Sequence, residues 1–426
     1  MTRVLVRGVG GPVDAVVRVP GSKSVANRAL LCAALADSGT SRVTNVPGGD
    51  DCEAMLAALR ATGCIGVDGA VTGGIFPGSV QTLDAGLAGT TSRFLTAAAV
   101  LSGGGIVIDG GEPLRRRPMA DLQDALKRLG AMVESLGDPG RLPVRVSRGS
   151  MNGGEVSVRG DVSSQFVSAL MLVAPRLETG LVINIDGDLV SRPYVEMTAA
   201  VMTSFGATVD VGRTRIGVAP GGYVPSDYVV EPDYSSAAFP VMCLAFTAGA
   251  VRIPDLRRAR LQGDSYVLEV AKLMGMSVVF DGDDVVVSRD PMKKLEPVQV
   301  DLKDASDLVP AVATACCAIE GTSVLGGIGF IRSKESDRLG DLAEELNAAG
   351  ARVTALDDGL RIEGGLIPST PTEFGTHHDH RLAMSFALVA AGGGRAVIDD
   401  DSVVSKSWPS YFSDMKGLLG PTEVLK

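Results

Sequence analysis

Aromatic side chains are scarce in this chain: they make up 4% of 426 residues, and Trp408 is the single tryptophan. Cores built without them must be filled by Ala, Val, Leu and Met, as in tightly packed α/β proteins. Basic charge is not in excess either. The net charge of −10 excludes the broad positive footprint that nucleic acid requires, although a small anion responds to local charge. Of the six cysteines, Cys32, Cys52, Cys64, Cys243, Cys316 and Cys317, none forms a Cys-x-x-Cys pair, which reads as free buried thiols in a reducing compartment. Apolar runs reach about a dozen residues, too few to span a bilayer, and Met1 leads directly into the strand-like VLVRG. The expectations are a cytoplasmic protein with neither a membrane nor a nucleic-acid partner.

What the chain does contain is repetition. Polar clusters beginning at Ser24, Thr90, Ser163, Ser235, Ser306 and His378 each open an Ala-rich apolar run, at intervals of 66, 73, 72, 71 and 72 residues. Runs such as ALLCAALA and FVSALMLVA are apolar all round, which predicts buried helices with N-cap chemistry in front of them. A Gly-punctuated β-rich stretch follows each run, and then an amphipathic helix. That second helix ends at Gly63, Gly130, Gly206, Gly275, Gly350 and Gly420, spaced 67, 76, 69, 75 and 70 residues apart. Two independent markers thus give a period of about seventy. A chain of this length divides into two domains, so we expect three α/β units in each. The linkers fall near Arg18–Gly21 and Val229–Asp233, with ligands in the cleft between the domains.

The helix starts differ chemically from one another. Each is a weak anion site through its unpaired N–H groups and dipole. Lys23, Ser24 and Arg28 occupy the first; Ser22 between Gly21 and Lys23 breaks the nucleotide-binding Gly-Lys-Ser pattern. Gly89 and Thr90 occupy the second, followed by Arg115, Arg116 and Arg117, the last held at a helix entrance by Pro118. Ser163, Ser164 and Gln165, and then Ser191 and Tyr194, supply hydroxyls, an amide and a phenol. Ser306 and Asp307 open the fifth run, where Asp307 reads equally as a plain N-cap. Arg332, Lys334, Glu335, Asp337 and Arg338 crowd the stretch behind it. All three histidines lie in HHDHR, His377 to Arg381. Their spacing does not match a helical metal pair and no further His or Cys accompanies them, so no metal is expected. Ser235–Ser236 reads as a structural cap.

Taken in order, PGSKS, LAGTTSRF, RRRPMADL, SSQFVSAL, LVSRPYVEMT, RSKESDRL, DHRLAMSFALVA and SKSWPSYF resemble the enolpyruvyl transferases, and among them the EPSP synthase family. The motifs run from about residue 20 to 412, nearly the whole chain. The resemblance implies an α/β fold, a two-domain inside-out barrel of six βαβαββ-type units. Its domains would be 1–20 plus 232–426, with the first strand returned to the C-terminal half, and 21–231. It implies enolpyruvyl transfer from phosphoenolpyruvate to the 5-hydroxyl of shikimate 3-phosphate through a tetrahedral intermediate, by a monomer without metal or organic cofactor. Shikimate 3-phosphate would be held by Lys23, Ser24, Arg28, Ser163, Ser164, Gln165, Ser191, Tyr194, Asp307 and Lys334. Phosphoenolpyruvate would be held by Lys23, Gly89, Arg117, Gln165, Arg338, Arg381 and Lys406. Asp307 would act as base on the 5-hydroxyl and Glu335 as proton handler at the methylene carbon. Lys23 would share proton transfer, and Thr90 and His380 would support. Cations beside Asp307 should hold its carboxyl low, so it would be a weak base until substrate is in place.

Three positions depart from the family pattern. Leu87 stands where many members carry Asn, Phe94 where many carry Pro, and Phe330 where Asn often touches the shikimate side. Gly89 matches the glyphosate-sensitive pattern, since a methyl there would intrude on the inhibitor. The nearest alternative is the sister enzyme acting on UDP-N-acetylglucosamine, which needs a reactive Cys in the second repeat; no Cys lies between Cys64 and Cys243. A non-catalytic phosphometabolite-binding protein is the alternative of another class, and it would have no use for Asp307 and Glu335 beside the cations.

Overall fold

The computed structural model describes residues 2–65, 69–74, 81–365 and 372–425. The chain forms two compact units, one of Met1–Pro20 with Glu231–Lys426 and the other of Gly21–Val230. Each contains three α/β repeats; among the described residues five of the six form a four-stranded sheet of one order, and the first pairs Tyr228–Val229 with Val43–Thr44 and Thr40–Ser41 with Val71–Thr72.

In the second repeat, Gln81–Asp84 runs parallel to Ile106–Asp109, with the buried helix Gly89–Ala98 as the crossover. The outer helix Ala120–Arg128 leads to Met132–Ser135 and Val144–Ser147, an antiparallel pair whose second strand docks on Ile106–Asp109. Parallel pairing needs a long crossover and antiparallel pairing a short turn, so this strand order follows from the order of helices and turns. The third and fifth repeats have the same order.

The fourth and sixth repeats are completed from a distance. Val13–Val16 supplies the leading strand of the fourth, parallel to Gly249–Ile253. Arg3–Arg7 supplies the closing strand of the sixth, between Arg395–Ile398 and Thr422–Leu425. Correspondingly, Tyr228–Val229 pairs parallel with Val43–Thr44 and leads the first repeat. The C-terminal unit is therefore completed by strands from residues 1–20, and the other unit by a strand from its own end.

Within residues 21–230 the helices Lys23–Ala34, Gly89–Ala98 and Ser164–Val173 pack against one another. In the other unit Val309–Cys317 packs against both Tyr234–Cys243 and His380–Ala387. Every residue of Tyr234–Cys243 and of Val309–Cys317 is buried, as their largely apolar sequences, with no charged face, require. The outer helices end as expected: Gly63, Gly130, Gly206, Gly275, Gly350 and Gly420 all have positive φ. At Gly63 and Gly350 an added Cβ would meet nothing within 4 Å, so glycine there serves the left-handed backbone and not a close approach. All six cysteines are free and buried.

The starts of the buried helices differ from the sequence reading in detail. Side-chain caps are made by Ser163, Asp233 and Asp379; Ser24, Thr90 and Ser235 lie inside the first turn instead. His378 is not a helix start. It follows His377 in the left-handed region (φ 58° and 49°), and the helix begins at His380 behind its Asp379 cap. Ser235–Ser236 is not itself a cap: Ser236 donates its N–H and hydroxyl to the capping carboxylate of Asp233.

Candidate functional site

The C-terminal unit gathers its charged side chains around Asp307. This residue lies in the 3-10 turn Ser306–Leu308 that enters the fifth buried helix, and it does not cap that helix. Its Oδ1 accepts from Lys334 Nζ at 2.7 Å and from Arg338 Nη1 at 3.0 Å, and its Oδ2 from Arg381 Nη2 at 2.8 Å. Burial alone would raise its pKa, but the charges of Arg381, Lys334 and Arg338 more than offset burial and hold it well below the usual carboxylate range.

Lys334 also donates to the Ser306 hydroxyl at 2.9 Å, and burial lowers its pKa against the opposing pull of Asp307. Arg338 is 1% exposed and sits between three carboxylates. Besides Asp307 it meets Asp379 at 2.7 and 3.2 Å, and Glu335 at 2.8 Å. Glu335 and Asp307 are thereby held on the same guanidinium. His380 is fully buried with Nδ1 3.5 Å from Asp379.

Lys406 is 7% exposed, at the end of the 3-10 segment Asp401–Lys406, which packs on the His380–Ala387 helix. Trp408 anchors the segment: its backbone N–H donates to Val404, its indole to Asp414 at 2.7 Å, and its ring meets Tyr411 edge-on.

In the N-terminal unit, Lys23 opens the first buried helix and donates to Asp51 Oδ2 at 2.8 Å. Asp51 is 3% exposed and lies in the first turn of the outer helix Asp50–Ala61; its backbone carbonyl accepts from Thr91 at 3.0 Å. Arg28 is buried. Its Nε donates to Thr198, Nη1 to the Ser24 carbonyl, and Nη2 to Ser168 and the Tyr194 carbonyl, at 2.7–3.3 Å. Four of the five guanidinium hydrogens are so engaged, and burial lowers the group to about 10, still cationic at neutral pH. Phe94 supplies the ring under this guanidinium, 5.1 Å from its centroid, and Phe330 faces Lys334 at 5.9 Å. Two of the three departures thus place aromatic faces against cations, while Leu87 is exposed.

Gly89 begins the second buried helix, with Thr90 partly exposed beside it. A Cβ at Gly89 would stand 2.5 Å from Arg93 Nη1 and 2.6 Å from Arg117 Nη1. Arg93 ties this corner together by donating to the Gly89 and Pro118 carbonyls. Of the neighbouring arginines, Arg115 pairs with Asp109 and Arg116 with Glu112, leaving Arg117 as the one set against Gly89. Ser163 caps the third buried helix by accepting from Gln165 N–H, with Ser164 buried behind it. Gln165 Oε1 is buried without a hydrogen-bond partner among the described residues, an amide that a ligand would satisfy. Ser191 holds a left-handed φ of 52° at the start of Arg192–Ser204, a strained conformation for a non-glycine residue, with Tyr194 in the first turn.

Sequence reasoning missed three carboxylates: Asp379, Asp51 and Asp264. The last accepts from the Ser235 hydroxyl. Among the described residues no group of His, Cys, Asp and Glu side chains could hold a metal ion; His377 instead pairs with Glu345 at 2.8 Å.

A family model described as EPSP synthase (3-phosphoshikimate 1-carboxyvinyltransferase) matches residues 8–415. The chain is 37% identical over 418 residues to the 3-phosphoshikimate 1-carboxyvinyltransferase of Shewanella baltica (strain OS185), covering 95% of this chain and 96% of that one. It is 37% identical over 422 residues to that of Shewanella denitrificans, with the same coverage. Among solved structures, EPSP synthase from Acinetobacter baumannii aligns over 100% of both chains with a TM-score of 0.81 at 26% identity. The enolpyruvyl transferase NikO from Streptomyces tendae aligns over 100% of this chain and 99% of its own, with a TM-score of 0.78 at 19% identity, a likeness of fold.

Proposed function

Because this chain belongs to the EPSP synthase family, we propose that the cluster around Asp307 and the polar helix starts of the N-terminal unit serve one reaction. The chain is an enzyme that transfers the enolpyruvyl group of phosphoenolpyruvate to the 5-hydroxyl of shikimate 3-phosphate and releases phosphate. In our assignment Lys23, Ser24, Arg28, Ser163, Ser164, Gln165, Ser191 and Tyr194, with Lys334, hold shikimate 3-phosphate. Lys23, Gly89, Arg117, Gln165, Arg338, Arg381 and Lys406 hold phosphoenolpyruvate. Arg28 works with the single guanidinium hydrogen its internal partners leave, so it orients more than it binds.

In the addition step Asp307 accepts the proton of the 5-hydroxyl as its oxygen bonds to C2 of phosphoenolpyruvate, while Glu335 delivers a proton to C3. In the elimination step Glu335 takes a proton back from C3 and the C2–O bond to phosphate breaks, with Arg338 and Arg381 balancing the departing charge; the proton held by Asp307 leaves with the phosphate, which restores the base. The observation that carries this reading is Asp307 between Lys334, Arg338 and Arg381 with Glu335 on the same guanidinium. That arrangement puts a base, an acid and three cations in one place. Burial pushes the thiols of Cys32, Cys243 and Cys316 up to about 12, which speaks against the cysteine-dependent reaction on a sugar nucleotide.

We place the enzyme in the cytoplasm as a monomer; no helix among the described residues is long and apolar enough to cross a membrane. The test is phosphate release by the purified protein with shikimate 3-phosphate and phosphoenolpyruvate. Turnover with that pair is expected. No turnover with it, but turnover with UDP-N-acetylglucosamine, would overturn the assignment.

A further inference from the structure

The fourth repeat contributes no residue to the substrate sets above, yet its helix start is polar and buried. Asp233 caps Tyr234–Cys243. One residue into the helix, the Ser235 hydroxyl donates to Oδ2 of Asp264. Asp264 is 3% exposed and lies in the 3-10 turn Gly263–Tyr266, which packs against the Ser306–Leu308 turn that carries Asp307. The groups facing Asp264 are Asp307 from that turn, Asp233 and Ser235 from the fourth helix start, and Arg381 from the His380–Ala387 helix. The adjoining Val267–Leu273 helix carries Glu269 and Lys272, which are exposed and paired with each other at 2.7 Å. Arg381 is thus bonded to Asp307, and its charge also acts on Asp264.

We propose that Asp264 is a positioning residue for the base: a second buried carboxylate, held by Ser235, whose charge competes with that of Arg381 and keeps Asp307 able to accept the hydroxyl proton. The inference rests on Asp307 being that base. It answers a difficulty in the cluster itself, since three cations on one carboxylate make a strong anion but a poor base. Two carboxylates that share a cation cannot both ionise without raising one of their pKa values. Burial and the charge of Asp307 push Asp264 up to about 6, opposed by the Ser235 hydrogen bond and Arg381 and reinforced by Asp233. By reciprocity, Asp264 ionised above that value strengthens Asp307. Once Asp307 carries the proton its charge is gone, and the negative charge of Asp264 still balances Arg381. Nothing is consumed: the proton passes from the hydroxyl oxygen to Asp307 and Asp264 takes no part in bond making.

The experiment is the pH profile of kcat at saturating substrates for the wild-type enzyme, Asp264→Asn and Ser235→Ala. It is joined by a carbon-13 titration of the Asp264 carboxyl in ligand-free protein and in Asp307→Asn. We expect Asp264→Asn to lose about tenfold in kcat at pH 7.5, the worth of one pKa unit in base strength, with both KM values within twofold. The ionisation step near pH 6 should vanish. Ser235→Ala, which removes a bond to the charged form, should move that step to higher pH. The Asp264 titration should fall to lower pH in Asp307→Asn, a result that needs no turnover and so separates this inference from the assignment of the reaction. A wild-type kcat with an unchanged step in Asp264→Asn would overturn the proposal. So would an Asp264 carboxyl titrating at the ordinary value in ligand-free protein, or one unmoved by Asp307→Asn. A merely packing role would lower the folded fraction of Asp264→Asn while leaving its kcat per folded enzyme and its pH step as in the wild type, and that outcome too would overturn it.

Discussion

Gly89→Ala should damage phosphoenolpyruvate binding without abolishing the fold. The new methyl would stand 2.5 Å from Arg93 Nη1, 2.6 Å from Arg117 Nη1 and 3.0 Å from Arg117 Cζ. Non-bonded contacts of this kind settle near 3.5 Å, so a guanidinium must retreat by about 1 Å. Arg93 cannot easily do so: it is 3% exposed, and its terminal nitrogens are bonded to the Gly89 and Pro118 carbonyls. Arg117 is only partly buried and meets the methyl with the far end of a flexible chain, so Arg117 makes the larger movement, while Arg93 must still give way within its hydrogen bonds. If that guanidinium makes one charge-assisted bond to phosphoenolpyruvate, its loss costs about 1.5–3 kcal/mol. KM for phosphoenolpyruvate should then rise roughly 10- to 150-fold.

Steady-state kinetics with shikimate 3-phosphate saturating would read this directly. KM for shikimate 3-phosphate should stay within twofold, and inhibition by glyphosate should weaken by at least the factor seen for phosphoenolpyruvate. Unfolding free energy should fall by about 1–3 kcal/mol, the usual cost of an added core methyl, because the buried Arg93 guanidinium must also give way. The decisive comparison is a double-mutant cycle with Arg117→Ala. If the methyl acts by moving Arg117, adding Gly89→Ala to Arg117→Ala costs little more. Full additivity, or an unchanged KM for phosphoenolpyruvate, would refute the reasoning.

Two further substitutions probe the two clusters. Asp307→Asn should lower kcat by about 10²- to 10⁴-fold with shikimate 3-phosphate binding retained by calorimetry; near-normal turnover removes Asp307 from the chemistry. Its carboxyl is held low in the folded state, so it contributes stability above the ordinary carboxylate value of about 3.9 and loses it as pH falls further; the acid limb of the stability–pH curve should be shallower in the variant. Arg28→Lys replaces a fork that serves Thr198, Ser24, Ser168 and Tyr194 with a single ammonium. Denaturant unfolding at unchanged m should show a loss of about 2–4 kcal/mol, and a loss below 0.5 kcal/mol would mean the network is not structural.

How much of this was legible beforehand depended on whether the signal was local. The six buried helices were, because Ala-rich runs without a polar face have no other use in a globular protein. So were the ends of the outer helices, where positive φ demands glycine at all six positions and close neighbours add to the demand at Gly130, Gly206 and Gly420. Asp379 was hidden because it looks like one more polar residue in HHDHR, and Asp51 because an acidic first turn is ordinary helix chemistry. Asp264 was hidden in an unremarked loop. What each of them does is set by a partner in another segment: Arg338 for Asp379, Lys23 for Asp51, Ser235 for Asp264. No propensity or periodicity reports on such a partner.

One regularity in the chain does report on it. Lys23 and Asp51 are 28 residues apart, Ser306 and Lys334 are 28, and Ser235 and Asp264 are 29. Gly89 and Arg117, brought together at the second repeat, are also 28 apart, as are Ser163 and Ser191. The βαβαββ unit explains the number. A buried helix, one strand and a turn return the chain to the same end of the unit, so the residue opening the outer helix lands beside the residue opening the buried one. A side chain at one buried-helix start is thus met by a side chain about 28 residues further on, whatever that side chain is. In the sixth repeat Lys406 lies on a segment that packs against the His380–Ala387 helix. The repeats therefore copy one local juxtaposition, and what varies between the copies is the pair of side chains placed there: cation with carboxylate, glycine with cation, hydroxyl with carboxylate or with cation. That variation is how a repeated fold comes to carry an unrepeated set of chemical roles.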